Sequence, residues 1–150
     1  MTCMNTYIPI TRLLPQRKPF LMVNRLLKAE GDKALTQFTI GSDNYFVMDD
    51  IISVTGLIEH MAQSASAMAG YKAIQAGVDN PPMGMLAEVK HFICHRQPHV
   101  GDILLTEVTK GVEVNGVSII TGNTRVDNEI IAEISMKIYI PDDRTLYQNL

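Results

Sequence analysis

Glu59 is the one carboxylate in a stretch from Ile51 to Tyr71 that carries no lysine or arginine. A lone acid among apolar and small residues would be largely desolvated, which makes it a candidate for moving protons. The plainer alternative is a half-exposed glutamate on a small-residue face. Gln63 follows one helical turn later, within reach of that carboxylate or of a substrate hydroxyl beside it. Gly56 precedes it, with Ser53 and Thr55 as cap candidates. Free N–H groups at a helix start there would favour a carbonyl oxygen that gains negative charge, as in an enolate formed from a thioester. Taken alone, Gly56 is better explained as a glycine that lets a sheet approach closely. His60 lies about 100° around the helix from Glu59. It is either an accessory group at a pocket rim or a packed or interface histidine.

A second group, His91, Cys94, His95 and His99, invites a metal reading. On a strand His91 and His95 share a face while Cys94 points the other way, and the spacing matches no standard zinc signature. No metal and no other cofactor is expected. The nine methionines suit core filling, with some lining an adaptable greasy channel.

The elements that must position these residues follow from period and punctuation. Ile10 to Leu14 forms a short turn before Pro15. Phe20 to Leu27 and Lys33 to Ile40 read as strands; in the second, Ala34, Thr36, Phe38 and Ile40 alternate with Leu35, Gln37 and Thr39. A loop from Gly41 to Asp50 leads to a helix over Ile51 to Gln75, stopped by Gly77 and by Asp79-Asn80-Pro81-Pro82. Four strands follow: Met83 to Cys94, Ile103 to Val114, Val117 to Val126 and Ile130 to Ile140. Asn115-Gly116 and Asp127-Asn128 serve as hairpin turns, and Pro141-Asp142-Asp143 ends the last strand. The economical packing is α+β: an antiparallel sheet of about six strands wrapped around one long central helix, the hotdog fold, as a single domain over 1–150. On the helix, Val54, Leu57, Ile58, Met61, Ala65, Met68 and Ala69 form one face. Glu59, Ala62, Gln63, Ser66 and Gly70 form the other. With so little charge, the sheet should cover one face and a partner subunit the other.

Composition sets outer bounds. The chain has 150 residues, 46 % hydrophobic and 19 % charged, with a net charge of −3. That fits a globular domain and argues against a general nucleic-acid binder. Two cysteines, Cys3 and Cys94, make no disulfide framework and fit a reducing cytoplasm. No secretory leader and no membrane span are expected, since the longest lightly charged stretch holds Glu59, His60, Gln63 and three serines.

Several segments resemble a known family. Leu14-Pro15-Gln16-Arg17-Lys18-Pro19-Phe20-Leu21-Met22-Val23-Asn24-Arg25 is similar to the Leu-Pro-His-Arg-x-Pro-Phe-x-x-Val-Asp-Arg opening of the (3R)-hydroxyacyl-acyl-carrier-protein dehydratases of fatty-acid synthesis. Glu59-His60-Met61-Ala62-Gln63 resembles their Glu-Ala-Met-Ala-Gln helix motif, and Val100-Gly101-Asp102 their Pro-Gly-Asp. Gln16 replaces a histidine, Asn24 an aspartate, and the loop His-Phe-Pro-Gly with the family's catalytic histidine is missing. Counting back from Glu59 puts Tyr45-Phe46-Val47-Met48 in its place. Lys90-His91-Phe92-Ile93-Cys94-His95 is similar to a divergent branch, the dehydratase-like proteins of aryl-polyene pigment clusters.

The resemblance implies a catalytic role for Glu59. Together with the helix positions read above, substrate contacts are expected from Gly56, Gln63, Tyr45 and Phe46, with His60 as an accessory candidate. It implies a dehydratase acting on a 3-hydroxyacyl chain carried by acyl carrier protein, in a homodimer or a heterodimer with another hotdog subunit. A non-catalytic partner of an active dehydratase and an acyl-thioester hydrolase are the other readings. Residues Met1 to Ala29 contain Arg12, Arg17, Lys18, Arg25 and Lys28 and no acid, so an acidic carrier protein is expected to dock there.

Overall fold

Alternating burial builds the sheet. In the strand Lys33–Thr39, Ala34, Thr36 and Phe38 point inward while Lys33 and Thr39 are exposed, as the period-two pattern requires. The computed structural model describes residues 7–80 and 84–140. Its elements are α1 (Ile10–Leu13), β1 (Arg25–Glu30), β2 (Lys33–Thr39), β3 (Val47–Met48), β4 (Ile51–Ile52), α2 (Val54–Gln75), β5 (Met85–Cys94), β6 (Ile103–Val114), β7 (Val117–Val126) and β8 (Glu129–Tyr139). Six strands form an antiparallel sheet in the order β1-β2-β6-β7-β8-β5, and α2 packs against β1, β2, β6, β7 and β8. This is the hotdog arrangement. Asn115 and Gly116 (φ 53° and 80°) and Asp127 and Asn128 (φ 51° and 67°) both take the left-handed geometry that a two-residue hairpin turn needs.

Three expectations shift. The strand placed over Phe20 to Leu27 begins only at Arg25, because Phe20 and Met22 bond to side chains of α2 instead of to a neighbouring strand. The helix placed from Ile51 begins at Val54. Ile51 and Ile52 pair with Met48 and Val47 across a turn at Asp49 and Asp50, and the Ser53 hydroxyl then caps the helix by accepting from the Gly56 amide at 3.0 Å. Finally, the second face of α2 is covered largely by the chain itself. Gly70 abuts the Leu13 carbonyl so closely that an added Cβ would lie 2.6 Å from its oxygen, and Ala62 and Gln63 are buried. What stays partly open is a stripe through Thr55, Glu59, Ser66, Ala69 and Ala73. Pro81, Pro82, Met83, Cys3 and the segment Pro141-Asp142-Asp143 lie outside the described residues.

Between helix and sheet the apolar core is crossed by one polar row. Thr36, Thr106 and Thr124 are register partners on β2, β6 and β7, all fully buried. Thr106 and Thr124 share a hydrogen bond of 2.6 Å, and Thr36 pairs with Ser64 of α2 at 2.7 Å. Buried hydroxyls need such partners. Among the described residues, no helix is long and apolar enough to cross a membrane.

Candidate active site

Helical side chains lean toward the N-terminus, so Glu59 projects over the first turn of α2, on the face it shares with Thr55. The carboxylate is half-buried. Its Oε2 accepts a hydrogen bond from Gln63 Nε2 at 2.8 Å. The other Gln63 N–H goes to the Phe20 carbonyl at 3.0 Å, and Gln63 Oε1 accepts from the Met22 amide at 2.8 Å. These partners fix the amide orientation: a backbone N–H can only donate and a backbone carbonyl can only accept. Gln63 is buried and both its N–H groups are taken. It therefore holds the carboxylate and has no donor left for a substrate hydroxyl, the other role its position allowed.

His60 is fully buried and stacks on Phe38 at 5.8 Å between ring centres. Its Nδ1 lies 2.6 Å from the Met22 carbonyl and its Nε2 lies 2.6 Å from Thr106 Oγ1. The carbonyl has no proton, so Nδ1 carries one and Nε2 accepts from the threonine. Burial pulls the pKa of His60 down from 6.5 to about 4, outweighing the Met22 bond, which raises it. Of the two readings open in the sequence, the structure has the packed histidine, not a group at a pocket rim.

The loop before α2 supplies the aromatic wall. Asn44 Oδ1 accepts from the Phe46 amide at 2.9 Å, and its Nδ2 sits 3.0 Å from Met22 Sδ. The Tyr45 amide donates to the Pro19 carbonyl at 2.9 Å. Phe20 and Tyr45 meet at 4.8 Å, and Tyr45 stands edge-on to Phe46 at 5.2 Å. Phe46 packs on Gly56, where an added Cβ would lie 2.9 Å from its Cγ. Gly56 is thus a close-packing glycine. Its amide is spent on Ser53, and the first-turn amides left open are those of Val54 and Thr55.

The structure brings Glu59, Gln63, Gly56, Phe46 and Tyr45 together and adds Phe20, Met22 and Asn44, which sequence reasoning missed. Asn44 had one legible signal, an Asx turn two residues before Phe46. Phe20, Tyr45, Met48 and Val54 are exposed. A concavity of about 170 Å³ lies elsewhere, bordered by Met68, Lys72, Ile120 and Ile138. The group His91, Cys94, His95 and His99 does not converge. His95 pairs with Glu133 at 3.0 Å, and among the described residues no three metal-binding side chains gather.

Residues 8–149 match the ApeP-like family, described as ApeP dehydratase. The 3-hydroxyacyl-[acyl-carrier-protein] dehydratase FabZ of Allorhizobium ampelinum is 33 % identical over 137 residues, covering 84 % of this chain and 83 % of that protein. The FabZ of Shewanella sediminis is 29 % identical over 128 residues, covering 81 % and 83 %. Among solved structures, the dehydratase heterocomplex ApeI:P from Xenorhabdus doucetiae superposes with a TM-score of 0.84 at 19 % identity, covering 96 % of this chain and 98 % of that one. A hypothetical thioesterase from Streptococcus pneumoniae, solved with coenzyme A, superposes at 0.62 with 7 % identity, covering 80 % and 87 %. The match runs over nearly the whole chain: the chain belongs to the ApeP-like dehydratase family.

Proposed function

We propose that this chain is a cytoplasmic 3-hydroxyacyl-acyl-carrier-protein dehydratase subunit in which Glu59 performs both proton transfers. The observation that carries the reading is the Glu59 carboxylate itself. One oxygen is fixed by Gln63, whose other N–H holds the Phe20 carbonyl, and the half-buried carboxylate lies one turn from the unspent amides at the helix start. A thioester carbonyl seated on the Val54 and Thr55 amides would present its α-carbon to the free oxygen. Glu59 takes the α-proton. The electron pair forms the C2–C3 double bond as the C3–O bond breaks, and the departing hydroxyl takes the proton back as water. The carboxylate is regenerated and the product is the enoyl thioester. The amides stabilise the oxygen while charge builds.

Assembly with a second hotdog subunit completes the site in this reading. The small-residue stripe on α2 stays open, and the edge strand β5 exposes Met85, Leu86, Val89 and Ile93. An uncovered apolar sheet edge favours pairing. One observation favours a second reading, that of a non-catalytic partner: the segment standing at the family's loop histidine is Tyr45-Phe46-Val47-Met48, which holds no imidazole, while His60 is locked in the core.

The test is hydration of a trans-2-enoyl thioester on carrier protein, read as loss of enoyl absorbance, for wild type and Glu59→Gln. Glutamine keeps the shape and can still accept from Gln63. Turnover should fall by about 10² to 10⁴ with the melting temperature preserved. Release of free thiol would instead identify a hydrolase. Wild-type inactivity together with tight binding to a catalytic hotdog subunit would establish the partner reading.

A further inference from the structure

Phe20 to Met22 crosses α2 as a strap whose backbone is bonded to side chains of that helix. Gln63 takes the Phe20 carbonyl and the Met22 amide, and His60 takes the Met22 carbonyl. The Met22 peptide is therefore gripped on both its polar groups by residues one turn apart on the helix. Gln63 in turn holds Glu59. His60 is itself held from behind. Thr106 donates to its Nε2 and Thr124 to Thr106, which fixes the tautomer that leaves Nδ1–H for the strap. The strap also carries Phe20, which stacks on Tyr45, so both the carboxylate and the aromatic wall hang from it.

We propose that His60 is a positioning residue: its Nδ1–H bond to the Met22 carbonyl locks the strap on which Gln63, and through it the Glu59 carboxylate, is set. This rests on the catalytic reading of Glu59 above, but the clamp itself can be measured without turnover. If the Met22 carbonyl lost its donor, the strap would loosen and Gln63 would lose the fixed partners that orient its second N–H. Small displacements of a reacting group cost rate steeply, with about 1 Å costing up to about 100-fold.

Two substitutions separate the roles of the two ring nitrogens. In His60→Asn the side-chain amide reaches the place of Nδ1 and can still donate to the Met22 carbonyl. In His60→Gln the amide reaches the place of Nε2, keeping Thr106 and abandoning the strap. Thr36→Val, which breaks a buried polar pair that does not touch the strap, serves as the stability control. In His60→Gln the Met22 amide should exchange with solvent at least roughly tenfold faster than in Thr36→Val. Its kcat should fall about tenfold with KM unchanged, and His60→Asn should retain most of both. A purely structural histidine would give two variants that lose activity together, in step with melting temperature. That result, or Met22 protection unchanged in His60→Gln, overturns the proposal. If wild type turns nothing over, the dehydratase reading falls separately. The contrast in Met22 exchange between the two variants then decides the clamp: a contrast supports it and none overturns it.

Discussion

Acid should weaken this protein through His60 before most carboxylates protonate. The folded chain holds the imidazole neutral, with its pKa lowered from 6.5 to about 4 chiefly by burial. The unfolded chain restores the ordinary value. Between those limits the unfolded state binds a proton that the folded state refuses, so stability falls as pH falls from 6.5 toward 4 and levels outside that window. The window spans two to three pH units at about 1.4 kcal/mol each, so the loss at its lower end is about 3 kcal/mol. For a domain of this size that is a large share of the total. Urea unfolding at fixed protein concentration, at pH 7.0 and pH 4.5, measures it. His60→Asn lacks the titrating group and should lose about 2 to 3 kcal/mol less than wild type across the same interval, whatever the carboxylates add to both. Equal losses would refute the reasoning. So would a ring-carbon NMR titration showing His60 protonated in the folded protein at pH 6.

Other outcomes follow from the same geometry. Gly56→Ala gains up to about 1 kcal/mol of helix propensity, but its Cβ would fall against Phe46 Cβ and 3.1 Å from Ile52 Cγ1. Overpacking of that kind costs about 1 to 3 kcal/mol. The variant should therefore melt lower and bind substrate worse, and a rise in melting temperature would contradict the packing argument. For carrier docking, Arg17 is a poor probe, because its guanidinium donates to the Thr11, Leu14 and Gln16 carbonyls and so builds the loop. Arg12 and Lys18 are exposed. Reversing both to Glu should slow association with acyl carrier protein roughly tenfold at low salt, with Lys137→Glu unaffected and the difference shrinking as salt rises. Binding kinetics check it. Sedimentation at micromolar concentration should show a dimer, and a charged residue at Ala69 or Ala73, on the open stripe of α2, should shift it toward monomer.

Strong periodicity made most of the fold legible. The alternation in β2, the Asn115-Gly116 and Asp127-Asn128 turns and the glycine after α2 each express a local preference that tertiary packing left in place. Phe20 to Leu27 misled because an apolar segment bonded to a helix has the composition of a strand. The partners that decide the matter, His60 and Gln63, lie about forty residues on. The same holds for the start of α2, where Ile51 and Ile52 continue the apolar pattern of the helix while pairing as strand. In the site, Glu59 and Gln63 stood out by type and spacing. The fate of His60 was undecidable locally, since Thr106 and Thr124 are far along the chain. Gly56 showed its size constraint but not which of its two uses applied, because that depends on where Phe46 falls.

The hydroxyl row across the sheet bears on how α2 finds its seat. An apolar helix on an apolar sheet can slide by one turn, about 5.4 Å, and still bury similar area. Here a slide would carry His60 and Ser64 past Thr106 and Thr36, leaving His60 Nε2 and the Thr36 hydroxyl dry and unmatched, each costing about 1 to 3 kcal/mol. Only one seating closes every bond. The row therefore works as a detent: it adds little to the depth of the native state but raises the misregistered alternatives, and it places the carboxylate of Glu59 along the helix axis before any substrate arrives.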